Sequence, residues 1–303
     1  MTTMARAFGK KTLQKFQRKV RCGMNLRFRC GLLILLLLAA SFAFSQDRSL
    51  PQEKTAVVFG QNIRYIEAGQ GHTLILLHGL GGAKEHWSGN FAALASKYHV
   101  YALDQLGFGH SDKPMIDYKI ATWVDFLQGF MQSQNIAKAT VVGNSLGGWI
   151  ATEFAVQHPE MVEKLVLVDA AGLAGVFSIE QNPSSIAAWR TLLESVFYDR
   201  KIVTDEDARQ AFTNRLRTND GYTIERFLAG YARGQFEDDK LKLIHAPTLV
   251  VWGRNDGLLS VNQAEKFGSG IPGAKVVVFE QCGHVPQIEK PDEFNRALLE
   301  FLG

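Results

Sequence analysis

The sequence predicts an α/β fold in which a mostly parallel, doubly wound sheet of eight strands is interrupted by a helical insert. Three observations predict it. Short apolar runs alternate with longer amphipathic ones along most of the chain, which is the pattern of strands joined by helical crossovers. Five of the runs, LILLH, VYALD, TVVG, LVLVD and TLVVWG, are almost wholly apolar, as a strand must be when helices cover both of its faces. The alternation then stops between Ala174 and Lys240, where the pattern is helical throughout.

In order, strands are expected at Ala56–Phe59, Ile63–Glu67, Thr73–His78, His99–Asp104, Thr140–Gly143, Lys164–Asp169, Thr248–Trp252 and Lys275–Phe279. Gly60-Gln61-Asn62 joins the first two as an antiparallel hairpin at one edge. Helices are expected at Trp87–Lys97, Thr122–Gln134, Leu146–Gln157, Val261–Phe267 and Asp292–Phe301. The insert of 67 residues, with breaks at Pro183 and near Gly221, is too long for a loop. Its aromatics, Phe177, Trp189, Phe197, Tyr198, Phe212, Tyr222, Phe227, Tyr231 and Phe236, suit a small core of its own and an apolar pocket beneath a lid. The domain reading is a leader at 1–45, a core at 46–173 and 241–303, and a cap at 174–240.

Composition excludes several classes. With 46% hydrophobic residues, 28 glycines and only 21% charge, the 303-residue chain is neither disordered nor a coiled coil, and no repeat of 20 to 50 residues is present. The net charge of +3 arises in residues 1–45, which hold nine Lys/Arg and no acid, so the body is mildly acidic and offers nucleic acid no basic face. That basic segment runs into the apolar block GLLILLLLAASFAF, whose end Ala43-Phe44 with Ser45 places small residues where a signal peptidase reads them, the order of a secretory signal peptide cleaved after Ser45. A short membrane anchor is the alternative, although the block falls short of the roughly 20 apolar residues a bilayer requires. Starting at Met24 would leave a compact leader of ordinary length. Export and possible membrane association through this segment are the expectation. Cys22 and Cys30 lie inside it, leaving Cys282 alone and no disulfide in the mature chain.

Chemistry concentrates at Gly143-Asn144-Ser145-Leu146-Gly147, a G-x-S-x-G sequence between strand TVVG and the run LGGWIATEFAVQ. A serine on so tight a strand-to-helix turn presents its hydroxyl outward, beside a helix N-terminus that favours negative charge. A serine hydroxyl is barely ionised at neutral pH, so attack demands a base and an acid to orient that base. His284, in QCGHVPQIEKP after KVVVF, and Asp256, in WGRNDGLLS after TLVVWG, supply them from the same sheet edge and in the chain order Ser, Asp, His. Asp169, at the end of LVLVD, is the rival acid. The glycines of His78-Gly79-Leu80-Gly81-Gly82 let backbone amides turn into the site, and the N–H groups of Leu80 and Leu146 are the expected oxyanion donors. Asp104 is read as tying down the loop DQLGFGHSDKP, and the remaining histidines as surface or packing residues without metal spacing. Cys282 lacks an elbow and is not read as a nucleophile, and Asn144 and Trp149 receive no role.

With HGLGG, DQLGFGHSDKP, GNSLGG, WGRNDGLL and CGHVPQIEKP in this order, the chain resembles the α/β-hydrolase superfamily over about residues 56 to 302. The resemblance implies a capped eight-stranded α/β-hydrolase fold and a serine mechanism with no cofactor and no metal. Ser145 at the elbow sets aside the aspartate-nucleophile branches, the haloalkane dehalogenases and epoxide hydrolases. GNS, FYDRKIVTDE and CGHVPQIEKPDEFN look most like the meta-cleavage-product (carbon–carbon bond) hydrolases, in a cluster that also holds monoacylglycerol-lipase-like esterases. Two positions depart from the former: Val285 stands where those enzymes tend to have tryptophan, and Ala211, with Arg209 nearby, where they tend to have a cap arginine. The expectation is therefore an esterase or lipase for small esters with apolar acyl groups. Carbon–carbon bond hydrolysis is the alternative, and a non-catalytic receptor on the same fold the second.

Overall fold

The computed structural model describes residues 50–173, 181–231 and 238–303. The leader expected at 1–45 lies outside these residues, as do Phe177 and Phe236. Eight strands form one sheet: β1 Lys54–Val58, β2 Gln61–Ala68, β3 Thr73–Leu77, β4 His99–Leu103, β5 Ala139–Asn144, β6 Val162–Val168, β7 Thr248–Gly253 and β8 Lys275–Phe279. Their order is β1-β2-β4-β3-β5-β6-β7-β8, with β1 and β2 antiparallel to their neighbours and all later pairs parallel.

The hairpin turn is tighter than the sequence suggests. Val58 pairs with Gln61, leaving only Phe59 and Gly60 in the turn, with φ of 49° and 77°. Two positive φ values are what a type I′ turn requires, and its twist matches the strands it joins, so Gln61 and Asn62 pair in β2 instead of looping.

The apolar strands are buried on both faces because successive side chains point to opposite sides. Ile75, Leu77, Val141, Leu165, Leu167 and Val250 enter one core with Trp123, Phe130, Ile150 and Phe154. Their neighbours Leu74, Leu76, Val142, Val166, Leu249 and Val251 enter the other with Trp87, Phe91, Phe294 and Leu298. Helices α1 Ser88–Ala95 and α9 Pro291–Leu302 supply this second layer, and α2 Ile120–Ser133, α3 Leu146–Gln157 and α7 Asn262–Gly270 the first. Each buried Val, Leu or Ile contributes about 1.5–3 kcal/mol relative to exposure. The short α8, Pro286–Glu289, precedes α9.

Between β6 and β7 the described residues of the insert are helical: α4 Ile186–Val196, α5 Asp205–Thr218 and α6 Gly221–Tyr231. Thr204 caps α5 reciprocally with Asp207, and Asn219, with φ of 54°, stops it. Trp189, Leu192 and Ala208 make the insert's own small core, while Phe227 reaches down to Trp123 and Trp149. Trp189 and Phe212 thus pack within the insert and Phe227 at its seam, while Tyr198 is exposed. Among the described residues no helix is long and apolar enough to cross a membrane.

Candidate active site

Ser145 sits between the end of β5 and the first turn of α3 with φ of 53° and ψ of −115°, a backbone conformation that a side chain rarely adopts. Three hydrogen bonds hold it there. Its N–H donates to Val168 O at 3.0 Å, and its carbonyl accepts from Trp149 N at 3.1 Å and Ala171 N at 3.0 Å. The flanking glycines are required by close approach: a Cβ on Gly143 would lie 2.1 Å from Gly147 O, and one on Gly147 would lie 2.4 Å from Leu77 O.

Asp256 and His284 stand on the loops after β7 and β8. The Asp256 carboxylate accepts the Leu258 and Leu259 N–H groups on Oδ1 at 2.7 and 3.0 Å, which aims Oδ2 at His284 Nδ1, 2.7 Å away. The carboxylate fixes the proton on Nδ1, so Nε2 is left as the basic nitrogen. Both side chains are buried. Of the two acids the sequence offers, Asp256 is therefore the one bonded to the histidine. Asn144 now has a place too: its Nδ2 donates to Val168 O at 3.1 Å and to His284 O at 3.2 Å, tying the serine's strand to the histidine's loop. Trp149 is buried beneath the seam with the insert, its ring against Phe227.

The glycine loop after β3 closes on this edge. Gly82 N–H donates to Gly79 O at 3.0 Å, and Ser145 Cβ lies 3.2 Å from where a Cβ on Gly79 would stand. Leu80 is half-buried and Leu146 buried at the start of α3, and among the described residues no backbone hydrogen bond uses the N–H of either. Free N–H groups beside the serine are what an oxyanion needs. His78 braces this loop: its Nδ1–H donates to Gly79 O at 2.8 Å and its Nε2 accepts Gln105 N–H at 3.1 Å. Burial pushes its pKa down to about 4, so it stays a neutral strut.

Asp104 does tie down its loop, accepting Lys84 N–H and His110 N–H at 2.8 Å each. It also meets the Lys84 ammonium at 2.9 Å, and Glu53 meets that ammonium at 2.8 Å. The ammonium fills the one place outside the triad where the described residues gather Glu53, Asp104 and His110. Burial raises the Cys282 thiol far above its usual range, which keeps it un-ionised.

Sequence reading missed two residues. Glu289, within the quoted QIEKP, accepts Gly283 N–H and Tyr198 N–H at 2.9 Å each, and His284 N–H donates to Val196 O at 2.7 Å. The end of α4 and the histidine loop are thus stitched together. The second is Arg215. Ala211, the position expected to lack a cap arginine, packs against the insert's core, and Arg209 is exposed beside Glu206. Arg215, one helical turn beyond Ala211, turns inward instead: its Nη2 lies 2.5 Å from the place of a Cβ on Gly81, and its guanidinium crosses the Trp189 ring at 5.1 Å. Buried Asp220 pairs with it at 3.1 Å. The i, i+4 spacing from Ala211 was the available signal.

Comparison with known proteins agrees with this architecture. The sequence model of the Alpha/beta hydrolase family matches residues 74–297. The 2-hydroxy-6-oxo-6-(2'-aminophenyl)hexa-2,4-dienoic acid hydrolase of Metapseudomonas resinovorans is 32% identical over 257 residues, 80% of this chain and 88% of the relative. Among solved structures, a meta-cleavage product hydrolase from Pseudomonas fluorescens IP01 superposes with a TM-score of 0.74 at 31% identity, over 82% of this chain and 97% of its own. A membrane phospholipase A, described as a bacterial virulence factor, gives a TM-score of 0.76 at 29% identity, over 91% and 97%. By the family match, the identity to its relatives and the eight-stranded sheet with helices on both faces, the chain belongs to the alpha/beta hydrolase family.

Proposed function

We propose that this protein is a serine hydrolase that cleaves carboxylic esters with apolar acyl groups. The observation that carries the reading is the 2.7 Å contact of His284 Nδ1 with Asp256 Oδ2, on the sheet edge where the strained turn presents Ser145. His284 Nε2 takes the Ser145 proton as Oγ attacks the ester carbonyl, and Asp256 stabilises the imidazolium that forms. The N–H groups of Leu80 and Leu146 hold the tetrahedral oxyanion, each worth about 3 kcal/mol to the transition state. His284 then returns the proton to the leaving alcohol, and water releases the acyl group by the same steps in reverse order. The similarity to a membrane phospholipase A over 91% of the chain, against 82% for the meta-cleavage product hydrolase, supports an ester substrate.

A second reading, carbon–carbon bond hydrolysis, is favoured by the 32% identical dienoic acid hydrolase and by the Arg215 guanidinium at the glycine loop, where it could meet an acidic substrate group. Against it, buried Val285 follows the histidine. The test is a panel of p-nitrophenyl esters of increasing chain length assayed beside a vinylogous 1,5-diketone carboxylate. Medium-chain esters turned over faster than acetate support the first reading. Turnover of the diketone alone overturns it in favour of the second, and ligand binding without any turnover points to a receptor. Residues 1–45 we read as an export leader, which N-terminal sequencing of the exported protein tests: a start near Gln46 supports cleavage, and an intact leader in membranes an anchor.

A further inference from the structure

A second carboxyl lies beside the acid and base, and the mechanism above does not use it. Asp169 directly follows β6, the neighbour of β7 in the sheet, with φ of 43° and its N–H bonded to Val251 O at 3.0 Å. It is wholly buried. Its Oδ1 accepts Gly253 N–H at 3.0 Å, and its buried Oδ2 receives no donor. The Asp169 and Asp256 carboxyls and the His284 ring each bring an atom within 4.8 Å of the other two.

Two buried carboxyls this close hold one negative charge between them, not two. Donors decide where it rests. Asp256 collects three, the N–H groups of Leu258 and Leu259 and the His284 ring, while Asp169 collects one. The charge stays on Asp256 and the proton on Asp169. Burial first, and then the Asp256 charge, raise Asp169 well above the usual carboxylate range, with Glu289 acting in the same direction and the Gly253 N–H opposing. The neutral Cys282 thiol also faces this cluster and adds no charge.

We propose that Asp169 is a positioning residue that donates its carboxyl O–H to Asp256, and that it serves as reserve acid, taking the His284 Nδ1–H when Asp256 is removed. The donated O–H accounts for the lone Oδ2 and gives Asp256 a fourth hydrogen bond, from a carboxyl that also lies near the histidine ring. On loss of Asp256, Asp169 releases its proton to solvent and its carboxylate accepts the imidazole N–H, so one charge is conserved beneath the base. This inference rests on the triad reading above, and its test separates the two.

Four full-length proteins, wild type, Asp169→Asn, Asp256→Ala and the double variant, are compared by fluorophosphonate labelling of Ser145, by ester turnover from pH 5 to 9, and by the infrared band of protonated carboxyls. Removing a triad acid ordinarily costs about 10⁴-fold. Here Asp256→Ala loses only about 10²–10³-fold, and adding Asp169→Asn to it costs at least tenfold more. The same Asp169→Asn in the wild-type background costs only a few-fold, because asparagine still donates to Asp256; such non-additivity marks coupled residues. A protonated-carboxyl band at pH 7 disappears in Asp169→Asn and in Asp256→Ala. Equal costs of Asp169→Asn in both backgrounds, or no change in the band, overturns the proposal. A wild type that never labels while the band behaves as described overturns the serine mechanism and leaves the shared proton standing.

Discussion

His284 N–H donates to Val196 O at 2.7 Å, so the backbone of the proposed base is bonded directly to the end of an insert helix. The insert therefore does more than cover the site. It holds the loop that carries the base, and Glu289 doubles the tie by accepting from Tyr198 on the insert and Gly283 on the loop.

Breaking that tie should cost both catalysis and stability. Glu289→Ala leaves the part-buried Gly283 N–H and the exposed Tyr198 N–H without their acceptor, a penalty of about 1–3 kcal/mol at most for the first, while water serves the second. Turnover should fall at least tenfold as the histidine loop loosens, with a smaller change in KM, and Glu289→Gln, which keeps one acceptor, should recover part of it. Steady-state kinetics on a medium-chain ester check the order wild type, Gln, Ala.

The elbow glycines are a steric requirement and should behave as one. Gly147→Ala drives a methyl to 2.4 Å from the Leu77 carbonyl, where backbone cannot yield cheaply. A loss of at least about 2 kcal/mol is expected from overpacking, together with loss of activity as the serine shifts. Chemical denaturation measures the first and the ester assay the second.

His78 predicts an acid limit to stability. Its folded pKa of about 4 lies below its ordinary 6.5, so between these values the unfolded chain binds the extra proton. Stability must rise with pH across that window and be lost as pH falls through it, by on the order of 3 kcal/mol from this group. Half-buried His86, its pKa lowered by desolvation as well, acts in the same direction. Urea midpoints between pH 4 and 7 should fall on acidification, and His78→Gln should flatten that slope.

Arg215 offers a test between neutral and acidic substrates. If its guanidinium meets a substrate anion at the glycine loop, Arg215→Gln should raise KM for carboxylate-bearing substrates at least tenfold and leave neutral esters within a few-fold. Equal effects on both would assign it to holding α5 over Trp189 through the Asp220 pair.

Much of this was legible in the sequence because burial on both faces leaves a plain mark. All eight strands were read from apolar runs, and Ser145, Asp256 and His284 from the motifs that follow them. Boundaries shifted by a residue or two where polar ends such as Lys54 and Gln61 joined the sheet through backbone pairing, which side-chain pattern does not report. Asp256 was preferred to Asp169 from the loop it occupies; both acids follow adjacent strands at the same edge, and the 2.7 Å contact is what pairs Asp256 with the histidine. Glu289 was not legible, and Arg215 only as the i, i+4 neighbour of Ala211. Their partners, Tyr198 and Gly81, lie 91 and 134 positions away, and only the packing of the insert onto the loops brings them together.

The most direct test of the account is Ser145→Ala assayed beside wild type on a medium-chain p-nitrophenyl ester, with fluorophosphonate labelling of both. Ser145 should label in the wild type alone, and Ser145→Ala should lose at least about 10⁴-fold in kcat. A Ser145→Ala protein that keeps wild-type turnover would contradict it.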